Sequence, residues 1–128
     1  MDMMVRNPGD EIYPATPDYV HALEVRGVDR LLFVSGTMGL DADGKAPASI
    51  DGQLTMVWAN IRRILTEAEM TTDNIVRLTS YLRRVEFAEA NQRARLDALG
   101  GRLVPTTAIV VETLSADWLV EIEIIAAG

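Results

Sequence analysis

The segment that most constrains this chain is its last strand-like run, Leu119 to Ala126. Strict alternation puts Val120, Ile122, Ile124 and Ala126 on one face, and Leu119, Glu121, Glu123 and Ile125 on the other. The first face is core. The second is neither core nor plain surface, because two carboxylates stand between a leucine and an isoleucine. Such a strand belongs in a sheet that helices cover on one side only. The other side then meets water or a partner, and an oligomer interface that holds water is the reading it favours.

The rest of the chain supplies that sheet and those helices. Tyr19, His21, Leu23 and Val25 share one face of a strand over Asp18–Arg26, and Leu31–Val34 reads as a buried strand ending in a tight Ser35-Gly36 turn. Over residues 50–68, Ile50, Leu54, Val57, Trp58, Ile61, Ile64 and Leu65 recur at helical spacing, with Ser49 as the cap. A β-branched strand spans Ile75–Leu82. A second helix runs from about Phe87 to Leu99 and is stopped by Gly100-Gly101. Strands over Thr106–Glu112 and Leu119–Ala126 finish the chain. Pro8-Gly9, Pro14 and Pro17 mark residues 1–17 as an extended N-terminal arm, and residues 18–128 form a single domain. The predicted class is α+β: a β-β-α-β-α-β-β mixed sheet with two helices on one face.

Composition narrows the chemistry. With 128 residues and no cysteine, the chain is one domain without disulfides, thiolate nucleophiles or cysteine-held metals. It has one histidine, His21, and one lysine, Lys45, so neither a histidine-rich metal site nor a desolvated Schiff-base lysine is expected. No apolar run is long enough to cross a membrane, and no basic region followed by an apolar run opens the chain, so a cytoplasmic protein is expected. The net charge of −7 argues against nucleic acid. Carboxylates, hydroxyls, arginines and backbone amides remain.

Each candidate has a plain reading beside the functional one. Glu121 and Glu123 point the same way roughly 7 Å apart, as a general base would or as a solvated strand face would. Ser35 and Gly36 let a backbone amide approach a ligand, or form a simple turn. Thr106 and Thr107 offer hydroxyls, or enter a strand where threonine is favoured. His21 reads as a half-buried packing residue. Arg83, Arg84, Arg93, Arg95 and Arg102 read as a solvated face rather than a basic patch.

The ordered set of segments resembles the RidA/YjgF family, whose older label is endoribonuclease L-PSP. The matching pieces are Leu32–Gly36 followed by Gly39; Gln53, Asn60-Ile61, Leu65 and Glu67-Ala68; Asp73–Thr79; Phe87 to Asn91; Pro105; and Leu119–Ala126. Together they span about residues 18–126. The resemblance implies a chorismate-mutase-like fold, a homotrimer with its sheets around a central barrel, and ligand clefts between subunits. It implies hydrolysis of reactive enamines or imines with release of ammonia, without metal or cofactor. Glu121 takes the position of the water-positioning glutamate, Tyr19, Ser35 and Gly36 line the cleft, and Asn91 matches the helix asparagine.

One position departs from the family pattern. The arginine that grips a substrate carboxylate falls on Thr107, which offers one neutral hydroxyl in place of a planar cationic fork. The departure implies an altered substrate, such as an aminomuconate-type compound, or an arginine supplied from elsewhere. The alternatives are a non-catalytic small-molecule-binding homotrimer and an endoribonuclease, the latter disfavoured by net acidity.

Overall fold

The computed structural model describes all 128 residues. Eight principal elements follow in the order β1 (Asp2–Val5), β2 (Leu23–Arg26), β3 (Leu31–Met38), α1 (Ile50–Glu67), β4 (Ile75–Leu82), α2 (Ala88–Ala98), β5 (Thr106–Val110) and β6 (Val120–Ala127). Four strands make one mixed sheet in the order β3-β6-β4-β5, and β1 and β2 form a separate antiparallel pair. Within the sheet only β4 and β5 run parallel. That pairing needs a crossover connection, and α2 supplies it.

The strongest periodicities match the observed elements. Ser49 caps α1 by accepting from the Gly52 N–H. The apolar stripe of α1 (Leu54, Val57, Trp58, Ile61 and Leu65) packs onto the alternate residues Leu78 and Leu82 of β4 and Val120, Ile122 and Ile124 of β6. After α2, Gly100 and Gly101 both take positive φ, and the Gly101 N–H returns to the Leu96 carbonyl. Glycine tolerates that left-handed conformation at little steric cost. No helix is long and apolar enough to cross a membrane.

Three features differ from expectation. Residues 1–17 include a strand, β1, whose partner is β2 in the register Asp2↔Arg26 to Val5↔Leu23. The predicted strand over Asp18–Arg26 is shorter. Only Leu23–Arg26 is ladder-paired, while Val20 makes an isolated bridge to Pro105. Alternation alone does not distinguish a strand from an extended segment held by side chains. The Ser35-Gly36 turn is instead a bulge inside β3. Between Val34↔Ile124 and Thr37↔Ile122, β3 advances three residues and β6 two, and the strand continues to Met38.

Both helices lie on the face carrying Leu78, Leu82, Ile122 and Ile124. The opposite face is uncovered within the chain. It exposes Phe33 at 71% and Ile109 at 46%. Arg77, Thr79, Tyr81, Thr107, Glu121, Glu123 and Ile125 share this face, all half-buried.

Candidate functional site

The uncovered face holds two adjoining cavities. The larger, about 540 Å³, is lined by Phe33, Arg77, Thr79, Tyr81, Thr107, Ile109 and Glu123 among others. The smaller, about 230 Å³, is lined by Tyr81, Glu112, Thr113, Leu114, Glu121 and Glu123 among others. Tyr81 and Glu123 belong to both and form the wall between them.

Strand register explains this grouping. On β6, Glu121 stands opposite Met38 on one side and Tyr81 on the other, and Glu123 stands opposite Thr79. On β5, Thr107 pairs with Thr79. Glu121 lies against Gly36, where a Cβ would come within 2.8 Å of its Cδ and 3.1 Å of its Cγ. The bulge and the missing side chain together make room for the carboxylate.

Polar contacts organise both ends of the larger cavity. The Tyr81 hydroxyl donates to Glu123 Oε1 at 2.9 Å. Accepting that bond, the Glu123 carboxylate holds the phenol above its ordinary value of 10.0. Burial and the charges of Glu123 and Glu121 add to the rise, and the Arg77 charge opposes it. At the other end Arg77 Nη2 donates to Thr107 Oγ1 at 2.8 Å. The face therefore carries a cationic end and a carboxylate end. No three His, Cys, Asp or Glu side chains converge to hold a metal ion.

Of the residues read from sequence, the fold brings Glu121 and Thr107 to these adjoining cavities and sets Gly36 behind Glu121. Ser35 is exposed in the bulge, and its carbonyl accepts from the Thr37 hydroxyl. Tyr19 lies before β2 with its ring edge-on to His21, centroids 5.7 Å apart, and lines neither cavity. Asn91 sits on α2, 2% exposed, with no partner for its Oδ1, apart from both cavities. A groove of about 350 Å³ between α1 and α2 is lined by Arg93 and by none of the other candidates.

The arginines form neither a patch nor a uniformly solvated face. Arg95, 3% exposed, pairs with Asp18 at 2.7 Å and donates to its carbonyl at 2.6 Å. Arg102 donates to the Thr72 and Ile75 carbonyls, and Arg83 to the Thr113 and Ser115 carbonyls. Position in the sequence alone did not reveal these carbonyl and carboxylate partners, which come from distant segments. Sequence reasoning also passed over Arg77 and Tyr81. The signal was available: period two over Ile75–Leu82 puts Arg77, Thr79 and Tyr81 together, opposite Leu78 and Leu82.

Comparison with known proteins agrees with this architecture. The sequence profile described as endoribonuclease L-PSP matches residues 10–128. A RutC family protein of Aquifex aeolicus is 34% identical over 76 residues, an alignment that covers 58% of each chain. The crystal structure of YyfB from Yersinia pestis, a Rid-family protein of unknown function, superposes with a TM-score of 0.84 at 27% identity over the whole of both chains. YyfA from the same organism, also of the Rid family, gives a TM-score of 0.71 at 26% identity, covering 99% of this chain and 100% of that one. With the family profile matching almost its whole length, the chain belongs to the endoribonuclease L-PSP family, the RidA/YjgF proteins.

Proposed function

We propose that this chain is a cofactor-independent hydrolase that deaminates a reactive imine, enamine or aminomuconate-type small molecule in the cytoplasm. Its cleft is completed by neighbouring copies in a homotrimer. The observation that carries the reading is the uncovered sheet face, where Glu121, seated against Gly36, lines a cavity of about 230 Å³ that shares Tyr81 and Glu123 with a cavity of about 540 Å³ bordered by Thr107. The exposed Phe33 and Ile109 on that face support burial against a second copy.

The chemistry asks little of the protein, because an imine carbon is already electrophilic. Glu121 orients a water and takes its proton as the oxygen adds to the C=N carbon. The nitrogen gains a proton as its π bond opens. The resulting carbinolamine collapses, the C–N bond breaks, ammonia leaves, and a carbonyl remains. An enamine enters by first taking a proton on carbon. The net reaction consumes one water and no oxidant.

Glu121→Gln tests the assignment. It should lower turnover of a reactive enamine such as 2-aminoacrylate, or of its imine tautomer, by roughly 100-fold or more, with the sedimentation coefficient of the assembly unchanged. Undiminished turnover would overturn the role of Glu121. A second reading, a non-catalytic binding trimer, is favoured by Thr107 at the usual arginine position. Absence of turnover across imine, enamine and aminomuconate-like substrates, with tight binding of one that does not react, selects it.

A further inference from the structure

The wall between the two cavities is anchored. On the β4–β6 ladder Tyr81 stands opposite Glu121, while Thr79 stands opposite Glu123. The Tyr81 hydroxyl nonetheless donates to Glu123 Oε1 at 2.9 Å. The side chain therefore leans along the sheet face, across the diagonal to the next strand pair. A hydrogen bond to an ionised acceptor is stronger than one between neutral groups, and it takes rotamer freedom from the ring. The smaller cavity has a second anchored wall. The Thr113 hydroxyl accepts from Arg83 at 2.8 Å and donates to the Trp118 carbonyl at 2.6 Å. Glu121 lines this smaller cavity and not the larger one. Small-molecule sites usually enclose roughly 300–1,000 Å³. The cavity of about 540 Å³ falls in that range, and the Glu121 cavity, about 230 Å³, falls below it. What stands between Glu121 and the larger space is the Tyr81–Glu123 wall.

We propose that Tyr81 is a specificity-determining residue: tied to Glu123, its ring partitions the uncovered sheet face and admits to Glu121 only molecules small enough for the lesser cavity. The proposal rests on the reading of Glu121 as the water-positioning carboxylate. Size is excluded here by a side chain and not by the backbone, so it yields to substitution. Shortening Tyr81 joins the two cavities. Removing only its hydroxyl keeps the ring but frees it to swing away from Glu123.

Imines released in place by an amino-acid oxidase from alanine and from phenylalanine share their reacting group and differ in bulk. They serve as probes of the full-length chain in its native assembly, with ammonia release as the readout. The wild type should favour the alanine-derived imine by about 10-fold or more in kcat/KM. Tyr81→Ala should shift that ratio toward the phenylalanine-derived imine by roughly 10- to 100-fold. Tyr81→Phe should fall between the two. Equal wild-type kcat/KM for both imines, or an unchanged ratio in Tyr81→Ala, overturns the proposal. If Tyr81→Ala fails to fold, an unchanged ratio in Tyr81→Leu does so. The two readings fail separately. A wild type that hydrolyses both imines equally well defeats only the partition. A wild type that hydrolyses neither defeats the hydrolase, and the partition is then read from binding of the two keto acids, pyruvate and phenylpyruvate, by ligand-observed NMR. Tighter binding of pyruvate, with the preference lost in Tyr81→Ala, sustains it. Equal binding, no binding of either, or a preference that survives Tyr81→Ala overturns it.

Discussion

A Cβ on Gly36 would run into the carboxylate of Glu121, lying 2.8 Å from its Cδ. The obstructing atoms are the far end of a flexible side chain, so an added methyl moves the carboxylate more easily than it unfolds the strand. Gly36→Ala should therefore change stability by less than about 1 kcal/mol. It should cost roughly 10- to 100-fold in turnover, if the carboxylate acts from its observed position. Thermal unfolding and a deamination assay on the same preparation separate the two effects.

Gly39 is the contrasting case. There a Cβ would come within 2.9 Å of Gln53 Cα and 3.0 Å of its carbonyl carbon, both backbone atoms of α1. Backbone yields less readily, and Gly39→Ala should destabilise by about 1–3 kcal/mol, measured by urea unfolding.

Gln53 is 1% exposed and fully engaged. Its Nε2 donates to the Pro47 and Asp117 carbonyls at 2.8 Å, and its Oε1 accepts from the Leu119 N–H at 2.9 Å. It fastens the start of α1 to the entry of β6. Gln53→Leu preserves bulk but orphans three backbone groups, and should cost about 2–4 kcal/mol. Faster hydrogen exchange at Leu119 is the local signature.

Asp18 and Arg95 anchor the segment before β2 onto α2. Burial tends to raise the Asp18 carboxyl, but hydrogen bonds from Thr16 and Arg95 and the Arg95 charge outweigh it. The group therefore sits below its ordinary 3.8. A carboxyl lowered in the folded state contributes stability that is present above its unfolded value and lost as pH falls through the folded one. The pair should thus be intact above about pH 4 and weaken in stronger acid. Asp18→Asn should flatten the acid limb of a stability profile. It should also cost about 3 kcal/mol near neutrality, because it leaves the Arg95 charge buried without its partner.

Tyr81 gives the opposite sign. Its phenol is raised because ionisation breaks its bond to the Glu123 carboxylate, with burial and both glutamate charges adding to the effect. A group raised in the folded state contributes stability below its unfolded value, and that contribution disappears as pH climbs through the folded one. The window lies above pH 10.0. Glu123→Gln should move one of the three tyrosines to lower pH in an ultraviolet phenolate titration. No downward movement would remove the Tyr81–Glu123 bond from the account.

Much of the scaffold was readable from local pattern. Helical spacing over residues 50–68, the Ser49 cap, the β-branched run Ile75–Leu82 and the Gly100-Gly101 stop all correspond to observed elements. Two residues of the family-like helix are scaffold: Gln53 as above, and Asn60, whose Nδ2 donates to the Met38 and Leu40 carbonyls. The two-faced alternation of Leu119–Ala126 already pointed to a sheet covered on one side, and the fold has that sheet.

Period tells which way a side chain points, because it depends only on local backbone geometry. It does not tell which strand lies alongside, because that is settled by contacts between segments far apart in the chain. Hence β1 beside β2, the bulge that seats Glu121 against Gly36, and the β3-β6-β4-β5 order could not be read from residue spacing. The same limit kept Arg77 out of the reading of Thr107. Thirty residues separate it from Arg77 in sequence, and a parallel pairing brings the guanidinium to 2.8 Å from its hydroxyl.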